Sequence, residues 1–523
     1  MTVQDESESS EQISPEVVAF LMRREYPVWE RRIKAIRACE QPIRLVGRTV
    51  VTDRRTGEIV EVFDSDDQPF GRLLVPCGNR RASRCAPCSR LYQEDTYQLI
   101  KAGLVGGKGV PAAVAEYPKA FLTLTSPSFG PVHARVLDDG QLRQCRPRTR
   151  HGRGACPHGV PWACLLRHGE GELVLGTPLC LACFRYREAV TWNAHAPLLW
   201  ARYIDNVRRV TLPYACGLTP AQMRGAVRVS FAKVAEYQRR GLIHFHVVVR
   251  LDGPDGPEGP PPPYAGIDQL IEALTLARDI THVELRVSAH VSELVFGEQI
   301  DVHPIVLDET RAGLDASAAA AYIAKYATKN AEAIGTVDRS LTCRLCHGSG
   351  LMGCCPRCGG TGLRTPLEEL KITEHARGLI AAAWELGALP DYERFHLRRW
   401  AHQAGFGGHY STRSRLYSTT MGALRQVRAQ FAAEYARGGI GPGELYEVER
   451  EWQYAGHGLN AVEAQVASGV RDWIAENRVI GRDELARLRA EEKLMREMAE
   501  ADPAYWDGLE HHDDDGRGDF DEP

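Results

Sequence analysis

Two histidines separated by one residue, His244-Phe245-His246, open a strand-forming run (HFHVVVR), and a strand puts its i and i+2 side chains on one face. Two imidazoles on one face begin a divalent-metal site but need a further donor. The preceding turn, Arg239-Arg240-Gly241, has the length of a three-residue hairpin loop and a glycine at its left-handed position. That loop pairs Gln238 with Leu242, and so sets Glu236 opposite His244 on the same sheet face. A carboxylate and two imidazoles then converge, leaving positions open on any ion they hold. Further along, Tyr322 and Tyr326 stand four residues apart in ASAAAAYIAKYATKNAEA, as do Lys325 and Lys329. On a helix that spacing makes each pair neighbours. A phenol with a pKa near ~10 needs a positive charge or a metal-bound electrophile beside it to act as a nucleophile at neutral pH.

Cysteine carries a second chemistry. Fifteen cysteines in 523 residues give roughly 0.4 CxxC pairs by chance, whereas the chain has four: Cys85/Cys88, Cys180/Cys183, Cys343/Cys346 and Cys355/Cys358. Disulfides do not persist in a reducing compartment, so the excess points to structural zinc. Cys343, Cys346, Cys355 and Cys358 lie in two CxxCxGxG knuckles that supply four thiolates to one ion, with Cys354 to spare. This paired knuckle resembles half of the zinc domain of J-domain co-chaperones, but the chain lacks an HPD tripeptide and the likeness ends there. Cys77, Cys85 and Cys88 offer three ligands whose fourth must come from elsewhere. The stretch Cys145, His151, Cys156, His158, Cys164, His168, Cys180, Cys183 predicts another tetrahedral site, made of Cys180, Cys183 and Cys164 with one of Cys156, His158 or His168.

The elements that must position these groups follow from pattern. AFLTLT at 120–125 alternates as a strand does, and Val227–Gln238 with Leu242–Arg250 form the clearest hairpin. GPDGPEGPPPP at 253–263 is a loop by composition. IDQLIEALTLARDI reads as an amphipathic helix, VELRVSA and FGEQIDVHPIVL as strands, and the alanine-rich run as a helix. The order predicts an α+β domain with a central antiparallel sheet and flanking helices. We divide the chain into an N-terminal helical and strand region (1–70), a Cys-rich segment (71–115), the α+β domain (116–335) with a Cys/His-rich insertion at about 133–220, the knuckle (340–365), a mostly helical region (366–500) and an acidic tail (501–523).

The composition, 44% hydrophobic and 25% charged, is that of a globular protein and excludes fibrous and wholly disordered classes. No apolar run approaches a bilayer span and the N-terminus is acidic, so a cytoplasmic location without membrane contact is expected. The net charge of −4 hides acidic ends: without residues 1–12 and 502–523, 63 basic face 55 acidic side chains. A body near +8 suits a polyanionic partner.

FLTLTS at 121–126, HFHVVV at 244–249 and YIAKYATK at 322–329, in that order, resemble motifs 1, 2 and 3 of HUH-type rolling-circle replication initiators, in the two-tyrosine form. The wider pattern, with CGNRRAS, GGKGVP, TSPSFGPVH, CPHG, GTPLC and WNAHAPLLW, resembles the RepSA-type initiators of actinobacterial plasmids over roughly residues 71–420. The resemblance implies an HUH endonuclease domain carrying zinc-binding insertions. It also implies Mg2+ or Mn2+ on His244 and His246, with Glu236 as third ligand and Asp301 or His303 as alternatives. Tyr322 or Tyr326 would attack DNA, leaving a 5′-phosphotyrosine and a free 3′-OH, while Lys325 and Lys329 position phosphate or stabilise phenolate. The implied partners are a plasmid double-strand origin, single-stranded at the nick, and the host helicase and polymerase. Conjugative relaxases and transposases share this chemistry, but relaxases carry a three-histidine HxxxHxH cluster and position 240 is Arg. A zinc-stabilised DNA-binding protein without catalysis would leave the HFH hairpin and the tyrosine helix unexplained.

Overall fold

The computed structural model describes residues 14–146, 154–287, 290–306, 314–327, 335–350, 353–427 and 446–478. The chain divides into two compact units: Met1–Gly78 with Arg84–Cys88 and Pro442–Pro523, and Asn79–Ser83 with Ser89–Gly441. Lys329, His151 and the acidic tail lie outside the described residues, as does the side chain of Tyr326.

The first unit joins segments from both ends of the chain. The strand Ile43–Asp53 pairs antiparallel with Ile59–Asp64 and Leu73–Val75, and also with Tyr446–His457. Phe20, Trp29, Ile33 and Leu74 pack with Ala467 and Val470 in its core. Residues 366–500 are read as mostly helical, and within their described part the long strand Tyr446–His457 departs from that reading. In YEVEREWQYAGH the β-branched and aromatic residues Tyr446, Val448, Trp452 and Tyr454 recur with period two. Interleaved Glu and Arg, good helix formers, mask that alternation in the sequence, and pairing with the long partner strand decides the outcome.

The second unit is built on a six-stranded sheet. In chain order its strands are β1 (Lys119–Leu124), β2 (Arg228–Tyr237), β3 (Ile243–Asp252), β4 (Ile300–Val306), β5 (Leu314–Asp315) and β6 (Ser411–Arg413). Their order across the sheet is β5-β4-β1-β3-β2-β6, antiparallel except for the short β4/β5 pair. Among the helices that flank it are α1 (Tyr186–Asn206), α2 (Ile267–Ile280) and α3 (Ala316–Ala327). The unit is thus α+β with an antiparallel sheet, and β2/β3 is its central hairpin.

The two faces of the hairpin are both covered, so its strands read as nearly unbroken apolar runs. Ala235, Phe245, Val247 and Val249 pack with Trp192, Leu199 and Trp200 of α1 in the larger core. Ala232, Val234 and Val248 face the other way, against Ala319, Ala320 and Ile323 of α3 together with Phe121 of β1. Asp315 caps α3 by accepting from the Ala318 amide at 2.7 Å. The alanines of that helix let it lie close to the sheet, which puts its one described tyrosine beside the hairpin's polar residues.

Candidate active site

Strand alternation places Glu236 on β2, His244 and His246 on β3 and Thr123 on β1 on the face that α3 covers. Glu236 pairs with His244 and His246 with Thr123 in the antiparallel register. The loop between the strands is Arg239-Arg240-Gly241, closed by Gln238 N–H to Leu242 O at 2.9 Å, with Gly241 at φ 80°. The conformation asked of that position is one that a Cβ disfavours. Asn193 of α1, fully buried, fixes the turn from behind: its amide donates to Gly241 O at 2.9 Å and its Oδ1 accepts from the Ile243 amide at 3.0 Å.

Glu236 Oε2 lies 3.2 Å from His244 Nε2 and 3.0 Å from His246 Nε2. His246 Nδ1 is 3.2 Å from Thr123 Oγ1, a contact that fixes the plane of the ring. His244 Nδ1 is buried without a hydrogen-bond partner. When the Nε2 atoms carry protons, both imidazoles donate to the carboxylate. When they do not, three electron pairs face one point, and a cation there removes the conflict. Ligands at about 2.1 Å and right angles in an octahedron stand about 3.0 Å apart, so this spacing suits one divalent ion with further positions open. Asp301 and His303, the alternatives for third ligand, pair with Thr123 and Phe121 on β4 and β1. Neither joins the three-residue group whose donor atoms all lie within 4.8 Å of one another.

Tyr322 stands at the rim, 41% exposed, with its ring edge-on to His246 (centroids 5.0 Å apart, planes at 90°) and to Phe121 (5.5 Å, 87°). The core positions of α3 are taken by Ala319, Ala320 and Ile323, so this tyrosine is not core. Lys325 follows on the same helix, exposed, one turn on. Arg240 occupies the place of a third histidine and does different work. Its guanidinium donates to Ser126 O at 3.0 Å, Ser126 Oγ at 2.9 Å and Pro127 O at 3.2 Å, tying the hairpin turn to the end of β1. Burial lowers its pKa to about 10.

Among the described residues four further clusters each offer four ligands. Around zinc, thiolates at about 2.3 Å stand about 3.8 Å apart. Cys343–Cys355 and Cys346–Cys358 Sγ distances are 3.9 and 3.7 Å, and Gly350 and Gly362 amides donate to Cys346 and Cys358 Sγ at 3.3 and 3.2 Å. Cys354 is exposed and outside the group. Cys77, Cys85 and Cys88 find their fourth partner in Cys39, whose Sγ lies 3.7 and 3.5 Å from those of Cys85 and Cys88. These separations suit a shared ion and are far from the ~2.05 Å of a disulfide.

The insertion corrects the expected ligand sets. Cys156, His158, Cys180 and Cys183 form one group, in which His158 Nδ1 lies 3.2 Å from Cys183 Sγ. Cys164 and His168 leave it and join His133 and Cys145 in another. Sequence proximity favoured Cys164 beside Cys180. The chain instead folds back so that Arg146 and Cys164 bridge, which draws Cys164 to Cys145. In this second group His133 Nδ1 and Cys164 Sγ lie 3.2 and 3.5 Å from His168 Nε2, and His168 Nδ1 contacts Glu172 at 2.6 Å. The Glu172 carbonyl in turn accepts from Arg239 at 3.3 Å, so the group is linked to the hairpin turn. Cys39 and His133 carry no spacing signal, and Cys145 stands without a nearby CxxC partner.

Comparison with protein families matches residues 25–472 to the family described as RepSA, replication initiator protein, pSAM2. A curated replication initiator protein from Streptomyces ambofaciens is 37% identical over 469 residues, 88% of this chain and 93% of that protein. No solved structure matches. Among the described residues no helix is long and apolar enough to cross a membrane.

Proposed function

Since the chain belongs to the RepSA family of replication initiators, we propose that it starts plasmid replication by nicking one strand of origin DNA through Tyr322. The observation that supports this most is the edge of the Tyr322 ring on His246, beside a two-imidazole, one-carboxylate cluster. The reading is that of an HUH endonuclease in the two-tyrosine form. The chemistry is a transesterification. The Tyr322 phenol oxygen attacks the scissile phosphorus, the P–O3′ bond breaks, the phenol proton departs to solvent or a base, and the leaving 3′-oxygen takes up a proton as the free 3′-OH. DNA then carries a 5′-phosphotyrosine, and the 3′-OH primes synthesis by host polymerase behind a helicase. Because the phosphotyrosyl bond conserves the energy of the broken linkage, strand closure needs no ATP. Tyr326 would serve the second cleavage, and Lys325 with Lys329 would position phosphate.

Glu236, His244 and His246 would hold a divalent ion, Mn2+ more readily than Mg2+ because two of the three donors are imidazoles. Such an ion supplies polarisation of the scissile phosphate and screening of its developing charge. The residues do the rest: Thr123 orients His246, Asn193 and Arg240 hold the turn that carries both strands, and α3 presents the phenol. The four Cys/His clusters would hold zinc and keep their surroundings folded. The test is incubation with Mn2+ and a labelled single-stranded origin oligonucleotide. A denaturation-resistant adduct that chelator and Tyr322→Phe both remove is expected. Binding without any adduct from several origin strands would instead mean a non-catalytic DNA-binding protein.

A further inference from the structure

Five arginines from four separate segments line one cavity of about 430 Å³ in the second unit: Arg208, Arg209, Arg224, Arg228 and Arg415, with Asp205 as the single acid. Arg208 and Arg209 lie on a π-helical turn, Val207–Thr211, that continues α1, and such turns occur often at functional sites. Arg208 and Arg228 are spoken for, donating to the Val229 and Pro254 carbonyls. Arg209, Arg224 and Arg415 are exposed, and their guanidiniums make no hydrogen bond or ion pair among the described residues. Convergence of like charges on one concavity costs Coulomb energy that an anion would offset. Burial lowers the Arg208 pKa, Asp205 opposes that shift, and the neighbouring Arg209 charge adds a smaller lowering.

The placement says which anion. Arg228 begins β2, and Glu236 lies eight residues on along the same strand; the cleft's Leu212, Met223 and Val229 belong to the core on the α1 face, so the two sites lie at opposite ends of the strand and on opposite faces of the sheet. At about 3.4 Å per residue the cleft is about 27 Å from the metal cluster, measured along the strand. Successive phosphates of one B-DNA strand advance about 3.4 Å along the axis, so DNA that passes round the sheet edge between the two sites spans at least about eight nucleotides. Resting on the nicking function proposed above, we propose that this arginine cleft is a phosphate-backbone site for duplex DNA flanking the nick, at least about eight nucleotides from the scissile phosphate. Arginine suits the role because its planar fork can take two phosphate oxygens at once. The contacts would fix register on the duplex and carry no base reading.

The test uses the full chain and a fluorescein-labelled 30-base-pair duplex of arbitrary sequence, titrated by anisotropy from low to moderate salt. A triple variant, Arg209→Gln with Arg224→Gln and Arg415→Gln, should weaken binding at least about tenfold near 0.1 M salt. Its plot of log affinity against log salt should be shallower by about 2.7, or about 0.9 per lost phosphate contact. The corresponding triple Lys variant should keep most of the slope, and circular dichroism would check that both remain folded. Adduct formation on a short strand, with about five nucleotides on each side of the nick, should be unchanged in the Gln variant because that strand cannot reach the cleft. Wild-type affinity and slope in the Gln variant, with wild-type adduct formation intact, would overturn the cleft alone. Duplex binding that depends on these arginines without any adduct from the wild-type chain would overturn the nicking proposal and leave the cleft standing.

Discussion

The knuckle at Cys343–Cys358 and the cluster on the β2/β3 hairpin both gather side chains at metal-binding distance, and they differ in what is left over. The knuckle brings four Sγ atoms together and turns glycine amides toward two of them, so every tetrahedral position is taken by protein. The hairpin brings one carboxylate and two imidazoles to a point and stops there, with a half-exposed tyrosine alongside. A filled coordination shell can only hold shape, whereas an unfilled one can meet a substrate. The backbone follows the same division. The knuckle's ligands come from loops that the ion itself would organise. The hairpin's ligands come from strands that cores on both faces fix in advance.

Breaking the open site should cost the most activity. Tyr322→Phe removes the oxygen proposed to attack and leaves the ring contacts with His246 and Phe121 in place. Adduct formation should fall at least about 10³-fold while DNA binding is kept, as read on a denaturing gel beside an anisotropy titration. His246→Ala should cost about 10²- to 10³-fold in the rate of adduct formation, corresponding to several kcal/mol of lost charge stabilisation, and higher Mn2+ should restore little of it. Breaking the closed site should cost stability instead. Cys346→Ser should lose one equivalent of zinc by metal analysis and on the order of 5 kcal/mol of stability, part of the roughly 10–16 kcal/mol that zinc supplies to an isolated finger. Equal loss of adduct per folded molecule in that variant would erase the distinction between the two regions.

Two smaller effects sharpen it. Glu172→Gln weakens the partner of His168 and should lower zinc affinity of the His133, Cys145, Cys164, His168 group by about 10-fold, measured by chelator competition. On the hairpin's other face, Lys233 is buried with its ammonium over the Phe245 ring at 4.2 Å, and burial lowers its pKa from 10.5 to about 7. The unfolded chain therefore binds the extra proton between pH 7 and 10.5, so this group's contribution to stability is fully present above 10.5 and is lost as pH falls toward 7. Lys233→Met should flatten that part of the pH dependence in urea melts and raise stability most at pH 7.

The hairpin site was legible because its rules are local. A three-residue loop with glycine last fixes the register, register fixes the face, and Glu236 comes opposite His244. The knuckle was legible for the same reason, its ligands lying within 16 residues. Cys39 was not, since it meets Cys77, Cys85 and Cys88 through the fold of the first unit and no spacing rule reaches across 38 residues. Nor was the division of the insertion between two groups, because a chain reversal at Arg146 and Cys164, and not proximity along the sequence, chooses the partners. Arg240 could be seen as a departure from a three-histidine pattern, but its contacts with Ser126 and Pro127 could not. The Tyr446–His457 strand was hidden by its own charged residues.

The central claim is that the phenol of Tyr322 is the group that takes the DNA. The most direct measurement is to trap the Mn2+-dependent adduct on a single-stranded origin oligonucleotide, digest it with protease and nuclease, and locate the remaining nucleotide by fragmentation mass spectrometry. The account predicts a 5′-linked nucleotide on Tyr322. A nucleotide carried by any other residue in its place, or no adduct from a strand that the protein binds, would contradict it.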